Sequence, residues 1–146
     1  EEGKNPQKEE KQQMGKKIID ITLKRQIAKQ VLKWCKENMG VNNRRKSLPK
    51  VSVRINFRKD ETERFIKGIY YSSENRIIVY SVNCETMDEV VSTIIHEYSH
   101  YQQSMKKYWE YFEFYYYSNH PYEKEARKNE EIYTKKCIRS IRKYLL

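Results

Sequence analysis

Three side chains within five residues define the chemistry to be weighed first: His96, Glu97 and His100, in the segment His96-Glu97-Tyr98-Ser99-His100. Two histidines at i and i+4 of a helix lie about 40° apart around its axis, so both imidazoles can reach one ion. Zinc accepts neutral imidazole nitrogen, and a catalytic zinc site keeps one position open for water. A glutamate directly after the first histidine stands beside that water and can take its proton. The pattern therefore predicts Zn2+ as cofactor, His96 and His100 as ligands and Glu97 as general base. Only three histidines occur in the 146 residues, and two fall in this pattern. Two surface histidines that flank a glutamate by chance are the competing account.

Such a site needs a third protein ligand. Residues 101–106 contain no histidine, so the ligand must come from further along, and His120, Glu123, Glu125 and Glu130 are the candidates. The last helix is expected to pack through Ala126, Tyr133, Cys137, Ile141 and Tyr144. Measured from Ala126, Glu123 lies about 60° from that line and Glu130 about 40° away but one turn deeper. Glu125 lies about 100° away on the other side, toward solvent. Glu123 is preferred, Glu125 is next and His120 third.

His96-Glu97-Tyr98-Ser99-His100 followed by Glu123-Lys124-Glu125-Ala126 resembles the gluzincin pattern of metallopeptidases. In size and element order the chain is most similar to the minigluzincins, small soluble archaeal proteins with this motif. Phage- and plasmid-type peptidases follow the same logic. The resemblance spans residues 15–144 in element order, but in residues only these two motifs. It implies a zincin-like fold and a zinc-dependent peptidase, endopeptidase rather than exopeptidase. It also implies a strand antiparallel to bound substrate, within Arg76–Tyr80 or the strand before it. Relatives often carry Asp or Asn after the Ala, where this chain has Arg127, so the partner that would orient a ligand histidine is unassigned.

The elements that must hold these residues are legible in the apolar spacing. Residues 15–39 carry Ile19, Leu23, Ile27, Val31 and Cys35 at intervals of four, reinforced by Ile18 and Trp34, which predicts one buried helix face. Gly40 is a plausible stop. Val51, Val53, Ile55 and Phe57 alternate with polar residues and predict a half-buried strand. A charged turn follows at residues 58–63. Phe65-Ile66 with Gly68 to Tyr71, and then residues 76–81, predict two more strands around a hairpin turn at residues 72–75. Thr86-Met87-Asp88-Glu89 has a capping-box pattern and opens the motif helix, packed through Met87, Val90, Val91, Ile94, Tyr98 and Tyr101. Pro121 suits the first turn of the last helix. The fold class expected is α+β: an N-terminal helix, a small three-stranded and mostly antiparallel sheet, the motif helix and a C-terminal helix bearing the glutamate. Residues 1–15 are expected to be a tail or pro-segment, and 16–146 one domain.

Bulk composition bounds the partners. The net charge is +10, but acids interleave with the 30 basic residues, so a solvated surface outweighs a nucleic-acid track. The polar tail raises a second expectation, a latent zymogen whose cleft is blocked by its own chain or by self-association. Three scattered cysteines without a CxxC pair argue against a structural zinc knuckle and for a reducing, cytoplasmic setting. For oxyanion stabilisation, His120 or one of Tyr115, Tyr116, Tyr117 and Tyr122 is expected. The rival class is a catalytically silent zinc module that contacts nucleic acid or a protein partner through aromatics and cations at residues 106–117, a stretch weakened for that role by Glu110 and Glu113.

Overall fold

In the computed structural model, residues 17–42, 44, 45, 47–56 and 65–145 are described. The expected tail, Phe57 and the charged turn lie outside them. Helix α1 (Ile21–Met39) opens on Asp20, whose side chain accepts from Leu23 N–H. This start is later than the apolar stripe suggested. Ile18 instead bridges Thr86 and is largely exposed. Ile27, Val31 and Cys35 are fully buried, and Lys24, not the half-buried Leu23, completes the inner face. The Lys24 ammonium donates to the Ser81 carbonyl at 2.9 Å and to its hydroxyl at 3.0 Å, which lets the cation sit in the interior.

The sheet holds β1 (Lys50–Arg54), β2 (Gly68–Tyr71) and β3 (Arg76–Tyr80), in the order β1-β3-β2. β2 and β3 form the expected antiparallel hairpin, with Asn75 in the left-handed region at φ 48°. Asparagine tolerates that conformation. β1, however, runs parallel to β3. The sheet is therefore mixed, not mostly antiparallel. A long connection follows β1, which frees it to return to the far side of β3 in the same direction. β1 is also shorter than its alternation suggested: it ends at Arg54, and Ile55 is exposed.

Helix α2 (Met87–Gln102) carries the motif, α3 (Met105–Tyr111) is a short helix not anticipated from the sequence, and α4 (Pro121–Ile141) is the last long helix. α2 packs between α1 and the sheet on one side and α4 on the other, so eleven of its residues are buried. All six residues of its expected inner face are among them. Among the described residues, no helix is long and apolar enough to cross a membrane.

Candidate metal centre

The cap of α2 sets where the motif falls. Thr86 Oγ1 accepts from Glu89 N–H at 3.3 Å and donates to Glu89 Oε1 at 3.2 Å. Ten residues on, the helix presents His96 and His100 toward α4. Ser99 and Ala126 have no exposed surface, and this small-residue seam lets the two helices approach closely. Asn129 Nδ2 donates to Ser99 Oγ across the seam at 2.9 Å.

Glu123 enters the space between the two imidazoles. Its Oε2 lies 3.0 Å from His96 Nε2, and its Oε1 lies 3.1 Å from His100 Nε2. The two Nε2 atoms are 3.3 Å apart. His96, Glu97 and His100 offer ligand atoms all within 4.8 Å of one another and could hold a metal ion. Glu123 stands closer to the imidazoles than that span.

The far side of each ring fixes its tautomer. His96 Nδ1 is 3.0 Å from Glu130 Oε2, and a carboxylate only accepts, so Nδ1 carries the proton. His100 Nδ1 is 2.7 Å from Gln103 Oε1. Gln103 Nε2 donates to the Tyr122 carbonyl at 3.0 Å and to Glu125 Oε1 at 3.3 Å, which orients the amide and leaves its oxygen for His100. The same rule puts a proton on His96 Nε2, which faces Glu123 Oε2; a bound cation would replace that proton and take the Nε2 lone pairs of both rings. Protons on the imidazoles hold the cluster together, and a cation among the same atoms would do so in their place. The separations of 3.0 and 3.1 Å, to different oxygens of one carboxylate, and of 3.3 Å between the two Nε2 atoms are each near the ~3.3 Å between ligands of a tetrahedral zinc with bonds near 2.0–2.1 Å. The donor set, two imidazole nitrogens and a carboxylate, suits zinc.

Electrostatics follow the geometry. Burial disfavours the charged form of His96, but hydrogen bonds to Glu123 and Glu130 outweigh it and raise its pKa to about 10. His100 is raised in the same way through Glu123. Burial alone would raise the Glu123 pKa, yet the bonds from His100 and His96 hold its carboxyl far below the usual range. Glu97 goes the other way: burial lifts its pKa above the ordinary carboxylate value, against the pull of the two imidazoles. Those shifts describe a cluster with protons in the place a cation would take.

The other candidates fall away from the centre. Glu125 is exposed. His120 is fully buried, with Nε2 2.7 Å from the Tyr108 carbonyl and Nδ1 accepting from Tyr122 N–H at 3.1 Å. Both of its nitrogens are used, so it caps α4 and pins α3 beside it. Glu130 reaches the cluster from behind His96, not as part of the triangle. Tyr108 and Tyr117 complete the surroundings of Glu123: the Tyr108 hydroxyl donates to Oε1 at 2.6 Å, and burial and then the Glu123 charge raise the pKa of Tyr117. Gln103 and Tyr108 had no sequence signal of their own; Glu130 did, since it follows Glu123 by two helical turns. Arg127 is turned to the Ser118 carbonyl at 2.7 Å.

Comparison with protein-family models, curated proteins and solved structures finds no match for this chain.

Proposed function

We propose that the chain is a zinc-dependent peptidase, of endopeptidase type, with His96, His100 and Glu123 as ligands and Glu97 as general base. The reading is carried by one observation: the Glu123 carboxylate stands 3.0 and 3.1 Å from the two Nε2 atoms that the motif aims at a common point. Zinc held there would supply Lewis acidity for a carbonyl and a lowered pKa for water.

The chain's own residues account for the rest. Glu97 is buried beside the cluster with a raised proton affinity, suited to take a proton from the attacking water and return it to the leaving amine. Among the tyrosines weighed as oxyanion donors, Tyr117 is the one whose hydroxyl feels the charges of Glu123 and Glu97, which makes it the best placed. β2 is the sheet edge on the motif side; β3 is central and paired on both sides, which leaves β2 to align an extended substrate. Gly68 brings that strand against α2. A Cβ there would lie 3.6 Å from Glu97 Cγ.

The deciding experiment pairs metal analysis with proteolysis. Wild type should purify with about one zinc per chain and cleave casein or a peptide library. Glu97→Gln should keep the zinc and lose the cleavage. A chain that binds no zinc, or a Glu97→Gln variant that still cleaves, would sink the reading.

A further inference from the structure

β1 forms the sheet edge opposite β2. Lys50 N–H donates to the Asn75 carbonyl at 3.0 Å, and Lys50 stands opposite Arg76 in a parallel register. In a parallel ladder, alternate residues turn both backbone groups to the same neighbour. Lys50, Ser52 and Arg54 therefore face β3. Val51 and Val53 turn their N–H and C=O groups to an edge that, among the described residues, no strand pairs. Val53 is nearly buried there, where an unpaired backbone group is unfavourable.

That edge is one wall of a groove of about 650 Å³, and the other wall is the α1 face that carries Arg25, Lys29 and Leu32. Val51, Val53, Ala28 and Leu32 make its lining largely aliphatic. Among the described residues, none that lines it is acidic. Arg25 and Lys29 stand on α1, and exposed Lys50 and Arg54 close the two ends of β1. Among the described residues, none of these four cations pairs with a carboxylate.

We propose that the β1 edge is a docking site for an extended acidic segment of a partner protein, which joins the sheet as a fourth strand. Backbone bonds to Val51 and Val53 would set its register. One set of alternating side chains would rest on Ala28 and Leu32 beneath α1, and the other, on the opposite face, would bring carboxylates to Lys50 and Arg54. Nucleic acid fits this groove less well. Among the described residues, no aromatic side chain lines it to stack a base, and a strand edge matches a peptide backbone rather than phosphates. The site is at the opposite edge of the sheet from β2, so it stands whether or not the metal centre is catalytic.

The test is fluorescence anisotropy on the whole chain with a fluorescein-labelled peptide that alternates glutamate with valine. Saturable, salt-sensitive binding is expected, weakened at least about tenfold in Lys50→Glu/Arg54→Glu. Val51→Pro should weaken it similarly, because proline removes an outward N–H and leaves the ladder to β3 intact. The charge-reversed pair changes only surface residues and decides the matter if the proline variant fails to fold. Binding should also shift the amide resonances of Val51 and Val53. No saturable binding overturns the proposal. So does binding unchanged by the charge reversal, or equal binding of a lysine–valine peptide. Displacement by oligothymidylate overturns it in favour of nucleic acid.

Discussion

Glu123 and Glu130 hold opposite nitrogens of one imidazole: Glu123 Oε2 is 3.0 Å from His96 Nε2, and Glu130 Oε2 is 3.0 Å from Nδ1. The two glutamates are seven residues apart on α4, so a single helix face supplies both the carboxylate at the centre and the one behind it. Glu130 orients the ring and raises the basicity of Nε2. Glu130→Gln should therefore weaken zinc by roughly 10–100-fold without abolishing the site, as partners of ligand histidines do elsewhere. The check is competition with a chelator of known zinc affinity. Unchanged affinity would reduce Glu130 to a surface ion pair.

Glu123→Ala should have a harsher effect. Among the described residues, it removes the one carboxylate that bridges the two Nε2 atoms and leaves two imidazoles, fewer than the three protein ligands of catalytic zinc sites. Zinc content by elemental analysis should fall close to zero, while Glu97→Gln keeps its zinc. Equal zinc in wild type and Glu123→Ala would move the third ligand elsewhere.

The Tyr108 hydroxyl bonds the same carboxylate at 2.6 Å. A hydrogen bond to a charged group contributes about 1.5–3 kcal/mol. Tyr108→Phe should lower the urea stability of the zinc-stripped protein by roughly that amount, since its ring packing survives and only the donor is lost. A loss under about 0.5 kcal/mol would mean that water takes over the bond.

Protons and metal compete for the cluster, which gives a pH signature. With no cation bound, His96 has its pKa raised to about 10 in the folded chain, against ~6.5 unfolded. That stabilisation is complete below pH ~6.5 and is lost as pH rises toward 10. Glu97 acts in the same direction, because its folded pKa is also raised. Glu123 is lowered, so its contribution exists above the ordinary carboxylate pKa and fades as pH falls. In EDTA, Tm should thus decline from about pH 6.5 upward. The rise in Tm on adding zinc should instead grow with pH, as fewer protons have to be displaced. A zinc effect on Tm that does not vary between pH 6 and 8 would contradict this account.

How much was readable in advance depended on how local the cause was. His96, Glu97 and His100 form a site within one helix, and i/i+4 geometry places them without tertiary information. Glu123 was preferred on the phase of a second helix together with the family resemblance, since phase alone set Glu130 nearer the buried side that Ala126 and Cys137 mark, both fully buried. Glu130 was visible on the same face, but its role was not: whether a carboxylate lies in front of an imidazole or behind it is set by how α2 and α4 cross. Gln103, Tyr108 and His120 depend on the turn after α2, which no period announces. The parallel placement of β1 was equally hidden, since strand alternation reveals a buried face and says nothing about which neighbour a strand takes.

Gly68 joins the sheet to the chemistry and yields the last prediction. A Cβ at this position would lie 2.5 Å from Thr93 Cγ2 and 2.9 Å from the Ile78 carbonyl oxygen, and 3.6 Å from Glu97 Cγ. The first two distances are too short for real contacts, and one partner is backbone in the central strand, which cannot swing aside. Gly68→Ala must then push β2 away from α2 or displace Thr93, whose hydroxyl is within 3.5 Å of Cys84 Sγ. Overpacking of this kind costs about 1–3 kcal/mol. The displacement falls on the motif face of α2, one turn before Glu97. Catalysis should therefore drop by more than stability alone explains, with kcat reduced in the fully folded variant while zinc content stays near one per chain. Urea denaturation, zinc analysis and steady-state kinetics on the same preparation separate the two effects. Wild-type kcat in a destabilised Gly68→Ala would show that β2 can retreat without moving Glu97.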